Sequence, residues 1–163
     1  MYRAVTQDYK RGQDLPKPGF AAGPCLMKDT MQLSAFYNNN FNLGMAAMQV
    51  NEGLPAFCIE HILRHHDLEG KKVGLLGMAF KVEVDDIRDS LSYKIRKLLQ
   101  YHGAEVLCTD PYVPSKDLLP LETVLEKADM FVMGIPHKVY RDVQFPKDKP
   151  MFNIWNLDSA GRF

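Results

Sequence analysis

The sequence predicts an α/β architecture in which a helix-rich segment, residues 1–70, precedes a parallel-sheet domain, residues 71–163. Three features predict it. Between Asp29 and His66 the apolar residues recur at intervals of three and four, the period of one face of a helix. Beyond Lys71 short apolar runs alternate with helical stretches, and that alternation implies right-handed crossovers between parallel strands. The polar joint DLEGKK separates the two patterns and sets a boundary near Gly70.

In chain order, DTMQLSAFY (Asp29 to Tyr37) is predicted to open a helix on a capping aspartate and to place Leu33, Phe36 and Tyr37 on one face. The run is interrupted at Asn38–Asn40 and again at Gly53, Leu54 and Pro55, where glycine and proline break helices. Leu54, Cys58, Ile59, Ile62 and Leu63 then form a stripe that ends at His65, His66 and Asp67. Lys72 to Leu76 is a buried strand. A helix follows, capped by Asp89 and Ser90, with Leu91, Ile95, Leu98 and Leu99 inward and Gly103 as its stop. Glu105 to Thr109 is the second strand, LETVLEKA (Leu121 to Ala128) a helix, MFVMG the third strand and MFNIW the fourth. This is a Rossmann-like order.

In such sheets ligands bind beyond the carboxyl ends of the strands. That rule singles out Lys81 after the first strand, Asp110 after the second and His137 after the third. A nucleotide diphosphate needs donors at a helix start, cations, and aromatic surface for the base, and Ser90, Lys81, Arg88 and Phe80 supply these types. Other readings exist for each. Lys81 also suits a solvated loop, Arg88 can pair with Asp85 or Asp86, and Asp110 before Pro111 is a turn former more than a ligand. His137 and the other histidines lack metal-ligand spacing and are read as structural or surface residues; no metal is expected. GLLGMAF has Gly74 and Gly77 but not the three-glycine spacing that presses a helix start onto a dinucleotide, so a nucleotide other than NAD is expected here.

Balanced charge, 20 basic against 20 acidic residues, gives no field for nucleic acid or an anionic membrane. No apolar run approaches the roughly 18 residues of a membrane span, and the first ten residues carry no signal peptide, so a cytoplasmic location is expected. Cys25, Cys58 and Cys108 form no CxxC pair and are expected to be reduced thiols. Cys25 stands apart, in GFAAGPCLMKDT. A thiolate is favoured beside a cation or at a helix N-terminus, and Lys28 with the following helix offers both; the alternative is a buried structural cysteine.

GFAAGPCLMKDTMQL resembles the active-site segment of the nucleotide-sugar 6-dehydrogenases, the family of UDP-glucose, UDP-N-acetylhexosamine and GDP-mannose dehydrogenases. GLLGMAFKVEVDDIRDS resembles that family's sugar-nucleotide-binding signature, and GIPHKVY with FNIWN resembles its closing strands. Together they cover the central and C-terminal portion of such an enzyme. The resemblance implies oxidation of a UDP-sugar C6 alcohol to a carboxylate, by two hydride transfers to NAD, for polysaccharide precursor synthesis. Cys25 would hold the intermediate aldehyde as a thiohemiacetal and then a thioester. Lys28 would stabilise thiolate or oxyanion charge and help position the nicotinamide; Asp29 would orient a water or a lysine in hydrolysis. Read from the residues alone, Lys28 and Asp29 are a helix-start ion pair. Gly19, Phe20, Ala21 and Ala22 would approach the sugar, Phe80 and Lys81 the nucleotide, and Arg88 the NAD, while Arg11 resembles an arginine that a partner subunit gives to the substrate. Many members carry a tighter glycine pair and a serine or histidine before the cysteine. Here Ala21, Ala22, Gly23 and Pro24 stand instead, which leaves the sugar open.

The family's N-terminal NAD-binding domain has no counterpart in these residues, so the chain alone is expected to be inactive. The resemblance also implies homodimerisation through the central helix, although the same stripe suits plain core. Three function classes follow: part of a dehydrogenase, a stand-alone nucleotide-binding module, and a dimerisation unit without a ligand. Coding sequence upstream of Met1 separates the first from the others; UDP binding separates the second from the third.

Overall fold

The computed structural model describes residues 2–12 and 19–155. Part of the segment around Arg11, and Asn156 at the end of FNIWN, lie outside those residues. Helix α1 (Tyr2–Thr6) and a 3-10 turn at Lys10–Gly12 precede α2 (Leu26–Phe36) and the long α3 (Asn42–Leu63). Then come β1 (Lys72–Leu76), α4 (Leu91–Tyr101), β2 (Glu105–Thr109), α5 (Leu121–Lys127), β3 (Met130–Met133), a 3-10 turn at Lys138–Arg141, and β4 (Met151–Asn153).

The four strands are parallel, in the order β2-β1-β3-β4. The chain leaves β1 for β2 on one side, then crosses back to β3 on the other. Their carboxyl ends therefore frame a switch point between β1 and β3, where α/β sheets place ligands. Side chains alternate across the sheet, as a two-residue period requires. Val73, Leu75, Met130 and Val132 face one core with Ile95 and Leu99 of α4 and Cys58, Ile59 and Ile62 of α3. Leu76, Phe131 and Met133 face a second core with Val124 and Ala128 of the α5 region. Each fully buried aliphatic side chain stabilises by about 1.5–3 kcal/mol relative to exposure, so the central strands fix the frame on which the rim loops stand.

Two helix boundaries differ from the sequence expectation. Helix α2 starts at Leu26, with Cys25 rather than Asp29 at the N-cap, and Asp29 falls within its first turn. The missing signal is local: Cys25 makes no side-chain cap bond, so nothing in residue type marks the start. Helix α3 also runs unbroken through Gly53–Pro55. An interior proline costs about 3 kcal/mol through a lost hydrogen bond and a ring clash. Packing of Cys58, Ile59 and Ile62, all at most 3 % exposed, against the sheet offsets it. The break at Asn38–Asn40 is as predicted, with Asn38 and Asn39 at φ 51° and 58°, where asparagine is among the residues best tolerated. Leu33, Phe36 and Tyr37 are exposed on α2.

Candidate functional site

The rim is built around the turn after β1. Gly77 adopts φ 84°, and a Cβ there would lie 2.4 Å from the Ile135 carbonyl oxygen, so the turn is packed backbone to backbone against the end of β3. Its amides are all taken from within. Gly77 N–H donates to the Thr109 carbonyl at 2.9 Å, while Met78 and Ala79 donate to Asp110 Oδ2 at 2.6 and 3.0 Å. Asp110 Oδ1 accepts from Tyr112 and Val113 N–H at 2.8 and 3.2 Å, which confirms its turn-forming role and extends it.

Beside Asp110 lies His137, with both side chains fully buried and His137 Nε2 3.1 Å from Asp110 Oδ2. Nδ1 accepts from Glu83 N–H at 2.9 Å. An accepting Nδ1 leaves the ring proton on Nε2, which donates to the carboxylate. Tyr112 and Tyr140 flank the imidazole, with ring centroids at 4.9 and 5.7 Å. Burial opposes ionisation of Asp110, but hydrogen bonds from His137 and from the Tyr112, Ala79 and Met78 amides outweigh it and hold the carboxyl below its ordinary value.

Above this buried pair stand the predicted rim residues. Lys81 is exposed, its Nζ 5.4 Å from the Phe80 ring centroid. Ser90 caps α4 by accepting from Ser92 N–H at 3.2 Å, and its hydroxyl donates to the Ala79 carbonyl at 2.9 Å, tying the helix start to the turn. Arg88 forks onto Asp86, with Nε 3.0 Å from each carboxylate oxygen and Nη2 2.6 Å from Oδ2, the ion pair that its sequence neighbours allowed. Those hydrogen bonds hold Asp86 down at about 2 and push Arg88 up; a Cys25 thiolate adds a smaller favourable field to the guanidinium.

The cysteine segment lies along the same rim. Gly19 sits against the Trp155 ring, where a Cβ would approach to 2.2 Å. Trp155 is itself fixed by Nε1–H donation to the Gly134 carbonyl at 2.7 Å. Phe20 is buried in the core, so only its backbone can face a ligand. Asn51 of α3 donates to the Ala21 carbonyl at 2.6 Å. Ala22 is half-buried, and Gly23 faces the Phe80 ring, at 3.1 Å from its would-be Cβ. Cys25 is exposed at the N-cap of α2. Lys28 Nζ pairs with Asp29 Oδ1 at 3.2 Å, the helix-start ion pair. Arg11 is exposed on the 3-10 turn.

The structure thus joins Phe80 to the cysteine segment through Gly23, sets Arg88 within the field of Cys25, and buries Asp110 and His137 beneath them. Asn51, Trp155 and the Asp110–His137 contact were not legible in the sequence. Their partners lie 21 to 30 residues away, or far more for Gly19, beyond any local pattern. The turn after β1 does not fit a dinucleotide pyrophosphate. Its Gly77 face is filled by Ile135, and the amides of residues 77–79 already have acceptors.

Thiol accessibility gives a direct check. Burial pushes Cys58 and Cys108 each up to about 11, whereas Cys25 is exposed. At neutral pH the buried thiols therefore stay protonated and unreactive. Iodoacetamide is expected to label Cys25 well before the other two, read by peptide mass spectrometry. Equal labelling of all three would contradict this placement.

Residues 74–157, just over half of the chain, match the family model described as the UDP-glucose/GDP-mannose dehydrogenase family, UDP binding domain. A UDP-N-acetyl-D-mannosamine dehydrogenase of Pyrococcus horikoshii is 31% identical over 134 residues, which are 78% of this chain and 32% of the relative. A UDP-glucose 6-dehydrogenase of Haloferax volcanii is 37% identical over 92 residues, 55% of this chain and 21% of the relative. Among solved structures, a UDP-D-ManNAc dehydrogenase from Pyrococcus horikoshii superposes with TM-score 0.82 at 25% identity, covering 99% of this chain and 41% of that one. The chain spans about a third of the length of these relatives or less.

Proposed function

The chain belongs to the UDP-glucose/GDP-mannose dehydrogenase family, and on that premise we propose that it forms the nucleotide-binding and nucleophile-bearing part of an NAD-dependent UDP-sugar 6-dehydrogenase. The observation that carries this is the seating of the cysteine segment on the nucleotide rim, where Gly23 lies against the Phe80 ring. One surface then offers a cation and an aromatic ring for the nucleotide beside a nucleophile for the sugar. Oxidising power comes from NAD when it is bound to the complete enzyme. Since the turn after β1 does not fit a dinucleotide, this chain's contribution to NAD is limited to the exposed edge formed by Cys25, Lys28 and Arg88.

Within that reading, Cys25 is the nucleophile that adds to the C6 aldehyde and retains the acyl group until water releases the carboxylate. Asp29, one turn on, pairs with Lys28 and would orient it or a water. Gly19, Phe20, Ala21 and Ala22 present backbone to the sugar, pinned from behind by Trp155 and Asn51. Arg11 completes the site from a partner copy. The stripe of Cys58, Ile59 and Ile62 on the long central helix is taken up in this chain's own core, so homodimerisation through the central helices would use their exposed apolar residues, among them Leu33, Phe36 and Leu43, 51%, 88% and 80% exposed. The domain division at Gly70 and a cytoplasmic location belong to the same reading. Among the described residues no helix is long and apolar enough to cross a membrane.

Calorimetric titration with UDP tests the nucleotide half. Lys81 is exposed, so Lys81→Ala is expected to leave the melting temperature unchanged. A charged contact contributes about 1.5–3 kcal/mol, so UDP affinity should fall about 10- to 100-fold. Unchanged affinity would remove Lys81 from the site. A second reading is a non-catalytic nucleotide-binding and dimerisation module, in which Lys28 and Asp29 form no more than a helix-start ion pair. UDP binding without activity in the enzyme completed from a relative would support it.

A further inference from the structure

The Asp110–His137 pair is buried, hydrogen-bonded on both members and unused by the chemistry proposed above, and beyond the turn that Asp110 makes with Tyr112 and Val113 its outward bonds end on one segment. Asp110 Oδ2 takes the Met78 and Ala79 amides, and His137 Nδ1 takes the Glu83 amide. Next to His137, Lys138 N–H donates to Glu83 Oε1 at 3.0 Å and Lys138 Nζ pairs with Glu83 Oε2 at 2.7 Å. Between these anchors lie Phe80 and Lys81. Glu83 is held at φ 57°, a left-handed conformation that a non-glycine residue keeps only where its surroundings enforce it. Here they do: its amide, its carboxylate and the two amides five and four residues before it are all gripped from the ends of β2 and β3.

We propose that Asp110 and His137 are positioning residues that hold segment 78–83 in the conformation in which Phe80 and Lys81 receive the uridine nucleotide. This rests on the nucleotide reading of the rim. Neither side chain has solvent access, so neither touches the ligand; both act through the backbone that carries it. The imidazole is suited to the task because one ring accepts from Glu83 on one edge and donates to Asp110 on the other, linking two strand ends and the loop through a single rigid group. The carboxylate is suited because two oxygens serve four amides as well as the imidazole.

A double-mutant cycle between His137 and Lys81, read by UDP calorimetry on the whole chain, tests this. His137→Phe keeps a ring between Tyr112 and Tyr140 but loses both polar atoms, and His137→Gln restores one donor and one acceptor. His137→Phe is expected to weaken UDP about tenfold, and His137→Gln to recover most of that loss. The effects of His137→Phe and Lys81→Ala should be clearly less than additive, because a displaced loop no longer presents Lys81. A merely structural histidine would give additive effects. Additivity, or a folded His137→Phe that binds UDP like the wild type, overturns the inference. If His137→Phe does not fold, the His137→Gln and Lys81→Ala cycle is read by the same criterion. A wild-type chain that binds no UDP overturns the nucleotide reading and this inference with it; that outcome differs from failure of the inference alone, in which the wild type binds.

Discussion

Gly77→Ala is expected to destabilise the protein by about 2–5 kcal/mol, the sum of left-handed strain near 1–2 kcal/mol and overpacking of about 1–3 kcal/mol. The position combines φ 84° with a would-be Cβ at 2.4 Å from the Ile135 carbonyl oxygen and 2.8 Å from its amide nitrogen. Both contacts are backbone of the segment that follows β3, so relief requires the central strands to part. Since domains of this size are stable by only about 5–15 kcal/mol in total, chemical denaturation should show a large loss. Gly70→Ala separates the two causes. Gly70 has φ 68° and nothing within 4 Å of its would-be Cβ, so strain alone acts there and about 1–2 kcal/mol is expected. Equal losses at both positions would mean that the turn after β1 is not packed as described.

The second large effect is chemical. In an enzyme completed with the remaining portion of the Pyrococcus horikoshii relative, Cys25→Ser is expected to reduce turnover by about 10³-fold or more, as removal of a covalent nucleophile does. Serine is a weaker nucleophile at neutral pH, and an ester is released by water less readily than a thioester. The fold should not suffer. Cys25 occupies the N-cap of α2 without making a cap bond, and serine is among the preferred residues there, so stability should hold or rise by up to about 1 kcal/mol. Lost turnover with an intact melting transition therefore isolates the chemistry. Undiminished turnover would remove Cys25 from the reaction and leave the module reading.

The two causes of these effects differ in how visible they are along the chain. The bounds of β1 and β2, the capped start of α4 at Ser90, and the alternation of strands with helices were legible because each depends on residues within a few positions of one another. A period of two or three to four, a capping hydroxyl and a stopping glycine are local devices. The motif around Cys25 and the rim signature were legible in the same way, as residue types at fixed spacing.

Tertiary packing decided the rest. Pro55 stays inside α3 because burial of Cys58, Ile59 and Ile62 outweighs a local penalty that sequence pattern alone reads as a break. Arg88 spends its fork on Asp86, two residues away, yet the fold also brings it within the field of Cys25, 63 positions earlier in the chain. Asp110 and His137 read separately as a turn former and a structural or surface histidine. Only the parallel pairing of β2, β1 and β3 brings their strand ends together, and only burial makes their hydrogen bonds obligatory. Likewise nothing near Gly19 announces that Trp155 will lie against it. Local pattern was enough for the strands, for the helices between them and for the residue types that reach the rim; which of these touch depends on the closed sheet, because a contact between distant residues exists only after the strands have paired.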